Sequence, residues 1–225
     1  MNQPAVYRSD TGPAGLGHTL STHRVLRNTY ALLSMTLLFS AAVAGTAVAL
    51  KLPAPGLILT LVGYFGLLFL IHKVQDSGWA VGAVFALTGF MGYTLGPVLS
   101  AHLALPGGGQ TIAMALGATG ATFLALSGYV LATRRDFSFM GGFLFAGMVI
   151  AILAGLAAMF FQIPALGLAV SAMVALLSAG LILFETSRIV NGGETNYVLA
   201  TVGLFVSLFN LFTSLLSLFG FSTND

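Results

Sequence analysis

The sequence predicts an all-α membrane protein with seven transmembrane helices, and two observations carry that reading. Only 6% of the 225 residues are charged while 57% are hydrophobic, whereas a soluble domain carries about 25% charged residues. The apolar residues also form long continuous runs without strict alternation, the pattern of spanning helices and not of barrel strands. Lipid offers the backbone no water to bond, so each run has to satisfy its own hydrogen bonds as a helix.

The chain opens on a polar stretch rich in Gly, Ser, Thr and Pro. It reads as a flexible cytoplasmic tail over 1–27, either a plain leader or a handle for a cytoplasmic partner or a protease. The first apolar run is too long for a signal-peptide core, so no cleaved signal is expected. A spanning helix needs about 20 apolar residues. Runs of that length fall at 28–50, 54–71, 79–101, 111–132, 139–161, 164–185 and 197–219. Between them lie the residues that break helices: Pro53 and Pro55, Asp76-Ser77-Gly78, Pro106-Gly107-Gly108-Gly109, the tight Gln162-Ile163-Pro164, and Asn191-Gly192-Gly193. The seven-helix domain is expected over 28–220, with a short tail over 221–225.

Basic residues orient the bundle. Arg8, Arg24 and Arg27 precede the first run, and Lys73, Arg134, Arg135 and Arg188 follow even-numbered runs; Lys51 alone lies on the other side. The excess of Lys and Arg marks the cytoplasmic side. The N-terminus is therefore expected in the cytoplasm and the C-terminus outside.

Polar residues inside the runs are the candidates for function. Ser171, Ser178 and Glu185 recur every seven residues in the sixth run, on one helix face. Gly203, Ser207, Asn210, Ser214 and Ser217 follow in steps of four and three in the seventh. Lipid does not reward such a face, so it should turn inward, either for packing or to line a polar path. Glu185 needs a partner, water or a proton at that depth. Arg188, three residues on, supplies a cation within reach. A structural ion pair and a protonatable gate or cation contact are both open readings of Glu185; no metal site is otherwise indicated. In the third run, Gly92 and Gly96 form a GxxxG pair that permits close helix contact, and Pro97 should kink the helix near its end. The other glycines, among them Gly117, Gly120, Gly128, Gly141, Gly142, Gly155 and Gly180, are expected to serve packing.

Several activities lack their residues. Ser127 has no histidine at mid-membrane depth to act as its base, no aspartate falls within a run, and there is no HExxH pair. The last run has no lysine for a retinal Schiff base, and no glycine loop with a lysine could cradle phosphate. No cysteine is present for thiol chemistry, and the net charge of +2 is dispersed, so no nucleic-acid footprint exists. An enzyme is not expected, nor a bound cofactor.

The strings Phe184-Glu185-Thr186-Ser187-Arg188-Ile189, Asn191-Gly192-Gly193-Glu194-Thr195-Asn196-Tyr197 and Ala200 to Asn210 resemble the Bax inhibitor-1 family, and most closely its bacterial YccA-like branch. The third-run string ending Leu95-Gly96-Pro97 resembles that family's other hallmark. The resemblance implies six helices around a central seventh and a place in the bacterial inner membrane. It also implies one of two functions. The YccA-like branch associates with the membrane-anchored AAA+ protease FtsH, in company with its associated membrane proteins, and restrains proteolysis of membrane proteins. Other members are pH-sensitive calcium leaks, in which two aspartates share a proton and latch the pore. By motif the first of these falls on Glu185 and the second on Ser207, which cannot ionise. The expected function is therefore modulation of FtsH, the alternative a calcium or cation leak gated near Glu185, with Arg188, Ser207 and Asn210 beside it.

Overall fold

A computed structural model describes residues 14–222, with side chains over 22–221. Its helices are α1 (Ala14–Ala49), α2 (Leu57–Val74), α3 (Ala80–Leu103), α4 (Gly108–Thr133), α5 (Gly141–Phe160), α6 (Pro164–Val190) and α7 (Tyr197–Ser222), with a short 3-10 turn at Ser138–Met140 before α5. Each contains a stretch long and apolar enough to cross a membrane. Of the flexible tail expected over 1–27, residues 14–27 are instead the first turns of α1, while 1–13, and the end of the chain over 223–225, lie outside the described residues.

Helix boundaries differ from the sequence reading for local reasons. The first helix begins at Ala14, upstream of the apolar run, because backbone hydrogen bonding does not stop where the side chains turn polar. The second begins at Leu57, after Pro53, Pro55 and Gly56, since a proline disfavours helical backbone in the residue before it. The sixth runs on past Glu185 to Val190. The third, expected over 79–101, continues to Leu103 with Pro97 inside it. Three helices end on residues with left-handed backbone that are not glycine: Lys51, Arg134 and Gln162, with φ of 50°, 52° and 53°.

The central helix is α7. Half of its most apolar stretch is buried, against 6% for α2. Helices α1, α3, α4 and α6 pack on it directly, while α2 lies against α3 and α5 against α6. The core around it includes Val84, Leu87, Ile182, Ile189, Leu204 and Phe205, all essentially without solvent contact. The broadest helix pairing joins α1 to α3. Gly92 and Gly96 make it possible: a Cβ on Gly92 would strike the carbonyl oxygen of Ser40, and one on Gly96 would strike the Cβ of Ala47. The Tyr93 hydroxyl adds a bond to the Pro53 carbonyl (2.8 Å), tying the first loop to α3.

The glycines divide into two groups. Gly141 packs against Phe184, Gly180 against Leu144 and Gly155 loosely against Val170. Gly117, Gly120, Gly128 and Gly142 face open space, with no atom within 4 Å of where a Cβ would stand. The expectation that these four serve packing within the chain is thus corrected. Three of them lie on α4, on a face that also exposes Leu124.

Candidate functional site

The sixth and seventh helices are antiparallel, and their polar stripes face each other. Near one end the Ser171 hydroxyl donates to Ser217 (3.3 Å). Near the other, a Cβ on Gly203 would stand 2.8 Å from Glu185 Cδ. The same register sets Ser178, fully buried and with its hydroxyl unpaired, at the level of Asn210. Ser207 and Ser214 are buried on the same face of α7. The stripes therefore form a seam of mostly small polar side chains, with Ser171 and Ser217 lining a cavity at one end.

The predicted candidates are not all neighbours. Glu185, Arg188 and Gly203 come together at one end of the seam. Ser207 sits a turn deeper, and its hydroxyl donates to the Gly203 carbonyl of its own helix (2.9 Å). Asn210 is deeper still. Gly203, and not Ser207, is what α7 presents to the Glu185 carboxylate; the glycine leaves the room that the carboxylate occupies.

Arg188 organises this end. Its guanidinium lies 3.7 Å from Glu185 Oε2, donates to Glu194 Oε2 (3.0 Å), and stands over the Phe184 ring at 5.5 Å from the centroid. The carboxylates of Glu185 and Glu194 are 15% and 12% exposed, so a shared cation matters to both. At 1.5 Å per residue from Pro164, Glu185 lies about 32 Å along α6, at the far edge of a hydrocarbon core about 30 Å thick. Among the described residues no three His, Asp or Glu side chains converge as a metal site.

The loop after α6 explains the rest of the motif. Gly192 takes a φ of 76°, the left-handed turn that ends a helix, and the Glu194 N–H returns to the Arg188 carbonyl (3.0 Å). Glu194 Oε1 then accepts from the Asn196 N–H (2.9 Å), and Asn196 caps α7 by accepting from the N–H of Val198 (2.9 Å). The Asn196 amide also donates to the Gln75 carbonyl and to Asp76 Oδ1, both at 3.3 Å, pinning the loop between α2 and α3. One asparagine thus holds two loops and a helix start.

Ser187 performs the same service for the loop between α4 and α5. Fully buried, it accepts from the Phe137 N–H (2.8 Å), and its hydroxyl lies 3.3 Å from the Arg135 carbonyl. Asn191 donates to that carbonyl and to Ser187 (3.4 and 3.3 Å). The preceding residue, Thr186, meets Ser127 of α4 at 3.2 Å. Asp136, in the loop, receives bonds from Ser138 that hold its carboxyl below the ordinary carboxylate range, with Ser187 adding to the effect. Its stabilising contribution is present above that ordinary range and is lost as pH falls through the lowered value.

Sequence reasoning had singled out Glu185 and Arg188 but not Ser127, Ser187, Glu194 or Asn196 as structural partners. Spacing along one helix reveals a shared face; bonds such as Asn196 to Asp76 join residues 120 positions apart, which no local pattern reports.

This network joins the motif that carries the family resemblance to the α2–α3 and α4–α5 loops. The family model described as "Inhibitor of apoptosis-promoting Bax1" matches residues 22–224. The Escherichia coli K12 protein named "Modulator of FtsH protease YccA" is 56% identical over 206 residues, covering 92% of this chain and 94% of that protein. An "Inner membrane protein YccA" of Escherichia coli O6:H1 shows the same identity and coverage. A Vibrio cholerae "Uncharacterized membrane protein" is 44% identical over 226 residues, the full length of both. A matching model over nearly the whole chain, and a motif whose residues hold the loops at one end of the bundle, establish that the chain belongs to the Bax inhibitor-1 family.

Proposed function

We propose that this protein is a multi-pass inner-membrane modulator that binds an FtsH-type membrane protease and restrains its proteolysis of membrane proteins. The observation that carries the reading is the 56% identity, over 92% of the chain, to a protein named as a modulator of FtsH protease. The geometry is compatible with a binding role: the motif residues hold one another and three loops, so that end of the bundle presents a fixed surface.

In this reading the end bearing Arg24, Arg27, Lys73, Arg134, Arg135 and Arg188 faces the cytoplasm, together with the N-terminus. The C-terminus lies outside. The alternative of a calcium or cation leak gated near Glu185 gains no support from the geometry, in which Arg188 engages both carboxylates of the motif.

Affinity-tagged full-length protein, extracted in mild detergent from cells that contain FtsH, is expected to retain the protease. Deleting about the first 20 residues is expected to change the turnover of the protein by FtsH, because in this reading the protease engages the chain by that segment. Unchanged turnover together with no copurified protease would contradict the proposal.

A further inference from the structure

We propose that the cleft between α1 and α4 binds one anionic phospholipid, with its phosphate at Arg24 and Arg27 and an acyl chain in the apolar groove that reaches α7.

The two helices flank this cleft and meet at one ring contact, Tyr30 against Phe123, with centroids 5.9 Å apart. On the basic side of that contact is a cavity of about 620 Å³ lined by His23, Arg24, Arg27, Tyr30 and Leu131. A second cavity of about 220 Å³ shares His23, Leu26 and Leu131 with it and adds Arg134. Among the described residues no acidic side chain lines either one. Arg24, Arg27 and Arg134 form no ion pair among the described residues; the two salt bridges there both belong to Arg188. The Tyr30 hydroxyl is buried and has no partner among the described residues.

On the other side of the ring contact the chemistry inverts. A groove of about 510 Å³ continues between α1 and α4, with Phe205, Leu208, Phe209 and Phe212 of α7 as its floor. The hydroxyl of Thr119, one of its few polar groups, is bonded to the Ala115 carbonyl (2.7 Å). Gly45 and Gly120 line the groove, and neither has an atom within 4 Å of a Cβ position. Cations at the end of a spanning helix followed by an apolar slot toward mid-membrane match a molecule with an anionic head and a hydrocarbon tail. A transmembrane helix would fill the groove but would leave the arginines without counter-charge.

The test uses the full-length protein in neutral detergent, with bound lipid counted by native mass spectrometry. Phosphatidylglycerol is compared with phosphatidylcholine of the same acyl chains, and inorganic phosphate is added as a competitor. Phosphatidylglycerol is expected to be retained about tenfold better than phosphatidylcholine. The Arg24→Gln/Arg27→Gln double variant should lose that preference. Gly120→Leu, which places its side chain in open space, should lower retention of both lipids while the melting temperature of lipid-free protein is unchanged. Equal retention of the two lipids, unaffected by the arginine substitutions, would overturn the proposal by reducing the cleft to ordinary bilayer contact. Displacement of phosphatidylglycerol by phosphate at equal concentration, with Gly120→Leu silent, would overturn it in favour of a free-anion site.

Discussion

Arg188→Gln is expected to destabilise the protein by roughly 2–4 kcal/mol. The substitution leaves two carboxylates, Glu185 and Glu194, nearly buried and without their common cation. Removing one member of a buried pair costs about 3–5 kcal/mol; the figure is reduced here because the Arg188 side chain is 32% exposed and water screens part of the interaction. The Phe184 face loses its cation as well. Thermal unfolding of purified protein in detergent measures the loss. Arg188→Lys keeps the charge but not the planar fork, and should fall between the two. Adding Glu194→Gln to Arg188→Gln should recover part of the stability, because one of the stranded charges is then gone. A variant that melts with the parent would mean that water, not Arg188, satisfies these carboxylates.

Gly92→Leu has the second large effect, and its origin is steric. The α1–α3 contact at Gly92 is backbone against backbone, so no side-chain rotation relieves the collision with the Ser40 carbonyl. Overpacking a core costs about 1–3 kcal/mol when side chains can yield, and more when they cannot. The expected outcome is loss of the folded monodisperse species on size-exclusion chromatography, with Gly92→Ala intermediate. Gly117→Ala is the matched control. It meets nothing within 4 Å, replaces a poor helix former with a better one, and should leave the melting temperature unchanged or slightly raised.

These two positions show what the sequence made legible. The GxxxG spacing predicted a close helix approach, and the structure places it on α1. The seven-residue spacing in α6 and the alternating spacing in α7 predicted inward faces, and those faces meet. Periodicity within a helix is a local property, so it survives in the sequence. The register between helices is not local. Motif alignment paired Glu185 with Ser207, whereas packing sets Glu185 against Gly203 and leaves Ser207 bonded to its own helix. The end of α6 was misplaced because a hydropathy count stops at the first charge, while Thr186 and Ser187 continue the helix fully buried. The left-handed turns at Lys51, Arg134 and Gln162 carried no glycine to announce them. The α1–α4 cleft was illegible for a simpler reason: it is a space between helices far apart in sequence, and no residue pattern encodes a gap.

The central claim is modulation of an FtsH-type protease, and reconstitution tests it most directly. FtsH and a membrane-protein substrate are placed in proteoliposomes with ATP, with and without this protein, and substrate loss is followed over time. The account predicts slower degradation as the protein is added, saturating near equimolar ratio to the protease. Degradation at the same rate at every ratio, with the protein folded and co-inserted, would contradict it.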